Sequence, residues 1–100
     1  MTTPTFQQFE SDALARGAYE VLERRWEPQT TLAEHTHPFA VEALVVQGEL
    51  WLTLAGGQPQ HLRPGDRFEI ACAAPHAERY GPEGAVFWAA RHRPASAAAA

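Results

Sequence analysis

The apolar residues of this chain recur at two different periods, and the change from one to the other falls at Gly17. Before it, Phe6, Phe9, Ala13 and Leu14 stand at roughly helical spacing, and Thr5 followed three residues later by Gln8 has the form of a capping box. A short helix over about residues 5–16 is predicted. After Gly17 the pattern moves toward alternation: residues 19–26 partly alternate and end at Glu27-Pro28-Gln29-Thr30, a turn signal, and residues 31–37 form an extended run stopped by Pro38. Residues 41–47 are apolar almost throughout, as in a strand covered on both faces, and Gly48 permits a bend. Leu50, Leu52 and Leu54 then alternate with Glu49, Trp51 and Thr53, and Gly56-Gly57 turns the chain into residues 58–62, the clearest hairpin of the sequence. Pro64-Gly65-Asp66 leads into a strand over 67–71, Ala74-Pro75 into one over 76–80, and Gly81-Pro82-Glu83-Gly84 turns the chain into a last one over 85–91.

Six to eight short strands after one helix describe an antiparallel sandwich or barrel. At 100 residues the chain has room for one core, so a single domain is expected over residues 1–93, with residues 94–100, which lack a periodic apolar face, as a disordered tail. An apolar content of 45% builds that core without covalent staples, and one cysteine makes no intramolecular disulfide; a cytoplasmic setting is expected. No apolar stretch approaches the roughly 18 residues of a membrane span, and no basic, apolar leader opens the chain. The net charge of −4 and the scattered arginines give no footprint for nucleic acid.

The five histidines change the picture. His35 and His37, two residues apart in a strand, point to the same face and can reach one ion. His76 opens a much later strand, which an antiparallel barrel can bring opposite that pair. Three neutral imidazoles and a carboxylate suit one divalent transition metal ion per chain, Zn, Fe, Mn or Ni, with positions left open for water or substrate. Glu78 lies two residues after His76, on the same strand face, where it can serve as a ligand or as a catalytic general base, and Tyr80 continues that face. His61 is expected at the surface and His92 at a frayed end. Cys72, flanked by alanines, reads as a small buried hydrophobe. Phe39, Phe87 and Trp88 are candidates to wall an apolar pocket. Trp51, on the side of its hairpin away from the core leucines, suggests a subunit contact.

The run His35-x-His37, then Glu42 and Gly48, followed by Pro64-Gly65-Asp66 and Pro75-His76, resembles the paired motifs of the cupin superfamily over roughly residues 30–91. The resemblance implies an all-β fold, the antiparallel double-stranded β-helix or jelly-roll barrel, and a homodimer. It also implies a metal held by His35, His37 and His76, with Glu42 as the fourth ligand. Counted from His37, Glu42 is in place; counted back from Gly48, the acid's position falls on Val41, and a one-residue slip turns a strand side chain to the other face. Both a three-histidine site and a three-histidine-one-carboxylate site are therefore open. The barrel hosts many chemistries. The function expected is a metalloenzyme acting on a small organic molecule, its metal a Lewis acid or an O2-binding centre; the alternative is a non-catalytic small-molecule-binding or sensory module.

Overall fold

Thr5 begins the first element through its side chain: its hydroxyl accepts from the Gln8 amide at 3.1 Å, while Gln8 Oε1 accepts from the Thr5 amide at 2.8 Å. This capping box opens α1 (Phe6–Ala15). The computed structural model describes residues 3–93, so the tail expected over residues 94–100 lies outside the described residues. Six strands follow the helix: β1 (Glu20–Trp26), β2 (Thr31–His35), β3 (Ala40–Leu54), β4 (Gln60–Leu62), β5 (Arg67–Ile70) and β6 (His76–His92). No described helix is long and apolar enough to cross a membrane.

All strand pairings are antiparallel. β3 and β6 pair along most of their length, and each acquires a different outer neighbour in each half. In one half β1 flanks β6 and β5 flanks β3; in the other β2 flanks β6 and β4 flanks β3. Two four-stranded layers are thus built on one shared pair of long strands, the arrangement of a double-stranded β-helix.

The sequence pattern divides each long strand in two, at Gly48 and at residues 81–84, but neither place reverses the chain. Between the pairs Gly48↔Ala85 and Leu50↔Tyr80, β3 has the single residue Glu49 where β6 has residues 81–84. This is a large bulge, and it accommodates Pro82, which has no N–H to give to a ladder. Glycine is required on both sides. Gly48 and Gly84 adopt φ of 70° and 72°, and a Cβ on Gly48 would stand 2.1 Å from the Gly84 carbonyl oxygen, one on Gly84 2.2 Å from that of Trp26. The strands bend together there and continue.

Alternation along the strands fills two cores. Ala43, Val45, Leu50, Leu52, Phe68, Tyr80 and Phe87 point between the layers, while Leu44 and Ala90 point outward and are covered by Phe9 and Ala13 of the helix. The apolar run at residues 41–47 is covered on both faces, as its composition requires.

Candidate metal centre

β2 ends where β6 begins, with His35 paired to His76 across the ladder, and their rings lie 4.3 Å apart between centroids. His37 arrives differently from the expectation of a shared strand. β2 stops at His35, so His37 stands in the connection to β3, where its carbonyl accepts from the Ala73 amide at 2.9 Å and its ring stacks on Phe39 at 4.9 Å. The outcome is nevertheless convergence: one ligand atom from each of the three histidines lies within 4.8 Å of the others.

The remaining ring nitrogens fix which atoms face inward. His35 Nδ1 lies 2.8 Å from the Ala33 carbonyl oxygen and His76 Nδ1 lies 2.9 Å from that of Ala74. A carbonyl only accepts, so each Nδ1 carries a proton, and in the neutral ring each Nε2 presents a lone pair. Glu78 Oε2 approaches the same spot, 3.3 Å from His35 Nε2 and 3.7 Å from His76 Nε2, while its Oε1 accepts from the Tyr80 hydroxyl at 2.5 Å. With the rings neutral, three acceptor atoms therefore converge, on side chains as buried as His76 (1% exposed) and Glu78 (9%). Such a set is stable around a cation, and its mixture of imidazole and carboxylate fits a divalent transition ion. Burial lowers the pKa of His37, and proximity to His76 and His35 lowers it further, which favours the neutral, ligating imidazole. Burial, and then the Glu78 charge, push the Tyr80 hydroxyl far up, so its proton stays on the donor.

No protein-family model matches this sequence, and no curated protein matches it. Solved structures do. A cupin-like protein from Thermotoga maritima is similar with a TM-score of 0.66, at 23% identity, over 73% of this chain and 56% of that one. A protein with a double-stranded β-helix domain from Klebsiella pneumoniae is similar with a TM-score of 0.62, at 25% identity, over 75% and 67% of the two chains. This chain has the cupin fold. A structure of the DMSP lyases RdDddP and RnDddQII reaches a TM-score of 0.67 at 22% identity, and the alignment covers 72% of this chain but 37% of the lyase chain.

Within the cupin barrel, Glu42 is not brought to the histidines. Its Oε1 lies 3.0 Å from Arg16 Nη2 and 3.1 Å from His92 Nε2, on the outward face, and its neighbours across the sheet are Glu69 and Ala90. The count back from Gly48 explains the placement, because Val41 is the residue that lines the inner cavity. The expected fourth ligand is thus corrected by register, and the carboxylate beside the histidines is Glu78, from the other long strand. His92 is likewise not frayed; it is the last residue of β6 and is tied to Glu42.

The cavity beside the histidines has a volume of about 110 Å³. Phe39 and Phe87 wall it as expected; Trp88, one residue on, faces the helix and packs against Phe6 and Phe9. Trp51 projects outward, stacked on His61 at 4.5 Å with the Arg79 guanidinium 4.2 Å above it. Cys72 is half-buried with a free thiol. Sequence reasoning missed Arg24, Trp26 and Arg91, which also line the cavity. The signal was present in β1, where Leu22, Arg24 and Trp26 share a strand face.

Proposed function

We propose that this cupin binds one divalent transition metal ion through His35, His37 and His76 and is a metalloenzyme acting on a small organic molecule. The observation that carries the reading is the convergence of imidazole and carboxylate lone pairs, without a donor, at the wall of an apolar cavity. When bound, the ion would supply Lewis acidity or, if it is iron, redox chemistry. Phe39, Phe68 and Phe87 exclude water and hold the apolar part of the substrate. Glu78 holds or moves a proton at Oε2, because the Tyr80 hydroxyl occupies Oε1 and fixes the carboxylate plane. A lyase among proteins of similar fold supports an enzymatic role over a purely sensory one. A homodimer formed through the face bearing Trp51, in the cytoplasm, belongs to the same proposal.

A second reading makes Glu78 a fourth ligand. It is favoured by the spacing of Oε2 from the two imidazole nitrogens, since metal–nitrogen bonds of about 2.0–2.1 Å in a tetrahedron place donors roughly 3.3 Å apart. Glu78→Gln separates the two. Turnover lost with metal affinity reduced no more than about tenfold supports the proton role, and a larger loss of metal supports ligation. The primary test is elemental analysis of untagged protein prepared without chelators. About one transition ion per chain is expected, and its absence after anaerobic reconstitution would sink the reading in favour of a metal-free binding barrel.

A further inference from the structure

Two arginines reach the cavity, and only one of them is neutralised. Arg91 Nη1 lies 2.9 Å from Glu20 Oε1, and the guanidinium stacks over Phe39 at 4.5 Å. Arg24 stands on the inward face of β1 with its guanidinium 5.1 Å over the Trp26 ring, and among the described residues no carboxylate forms an ion pair with it. It is half-buried in a strand whose inward neighbours are Leu22 and Trp26. A cation placed in such a wall without a counter-charge is costly unless a ligand supplies one.

The charge of the loaded site points the same way. A divalent ion held by the histidines would outweigh the one carboxylate of the cavity wall, Glu78, and Arg24 adds a further positive charge to a cavity it shares with Arg91 and the apolar Val41, Phe68, Ile70 and Phe87. The planar guanidinium has the fork geometry that receives two carboxylate oxygens at once. The volume of about 110 Å³ is below the roughly 150 Å³ that admits benzene, so the bound body is a few carbons, with the rest of the molecule at the mouth.

We infer that the cavity takes a small organic carboxylate, bound through its anionic group by Arg24 and through its apolar body by the phenylalanines. The inference deepens the metalloenzyme reading and rests on it for the ion's end of the ligand; the part played by Arg24 stands on the arginine alone.

The test uses the full chain loaded with Co(II), whose absorption reports occupancy of the histidine site. Dissociation constants are measured by calorimetry for straight and branched carboxylates of three to six carbons and for the matching neutral amides. At least one acid is expected to bind about tenfold or more tighter than its amide. Arg24→Gln is expected to remove most of that preference while the cobalt spectrum is unchanged. Arg24→Met, which keeps an aliphatic stem over Trp26, gives the same readout if the first variant is unstable. A preference that survives both substitutions, or no preference for any acid in the native chain, overturns the inference. A native chain that takes up no cobalt defeats the metal reading separately. The same titration on metal-free protein then decides the role of Arg24: a preference lost with the arginine upholds it, and no preference ends it.

Discussion

Glu42 and Glu78 stand on the two long strands of the barrel, and each lies within 4 Å of a histidine, yet their surroundings differ in one respect that matters. Outside, Glu42 faces Arg16 and His92, groups that bring protons to it, and the cluster is complete as it stands. Inside, Glu78 faces imidazoles whose protons are already given to backbone carbonyls, and the cluster is short of a positive charge. Contact between a carboxylate and a histidine is therefore no mark of a site by itself. What distinguishes the inner cluster is the direction of its hydrogen bonds.

The sharpest way to break this contrast is to remove one histidine from each cluster. His76→Ala is expected to lower metal affinity by more than about a hundredfold, beyond what loss of an outer-shell partner costs, whereas His92→Ala leaves the metal content at about one ion per chain. Elemental analysis of both folded variants measures it, and equal losses would erase the distinction. Next in size is Tyr80→Phe, which leaves Glu78 Oε1 buried without a donor and should cost about 1–3 kcal/mol in urea unfolding. Glu42→Gln should cost less than about 1 kcal/mol, because its partner Arg16 is about half exposed and solvent screens the pair.

The smallest effect is in pH. The folded chain holds His37 below its ordinary pKa of 6.5, so its unfolded form binds the proton first. That contribution to stability is present above 6.5 and is lost as pH falls from there through the folded value. Burial alone would raise the Glu42 carboxyl, but hydrogen bonds from Arg16 and His92 outweigh it and hold the group low, so its contribution persists down to its ordinary 4.5 and is lost below. Melting temperatures of chelated protein across this range should fall in two windows. His37→Ala is expected to remove the upper decline and Glu42→Gln the lower; a single decline untouched by His37→Ala would contradict the assignment.

Much of this was legible in the chain. The capping box placed the helix, and the two histidine-bearing segments located the inner cluster because each lies beside a turn signal that local chemistry dictates. Even the fate of Glu42 was readable, since the count from Gly48 pointed to Val41 as the inward residue. Three things were not. Glycine and proline mark a bend and a chain reversal with the same letters, so residues 81–84 suggested a turn where the structure has a bulge. His92 looked peripheral because its partner Glu42 is 50 residues away. Arg24 was passed over because an arginine in a strand is ordinarily solvated, and only the opposing layer shows that its face is the interior.

The shared strands have one further consequence, visible at the place where Gly48, Gly84 and Trp26 meet backbone to backbone. Neither layer of the barrel owns the strands at its centre, so there is no line along which the molecule divides into modules. Cutting the chain after Gly48 would give a first fragment whose strands all pair with strands of the second, and a second fragment whose β6 loses β1, β2 and the first half of β3. Such fragments are expected to stay unfolded alone and to regain both layers, and the histidine cluster with them, only on mixing.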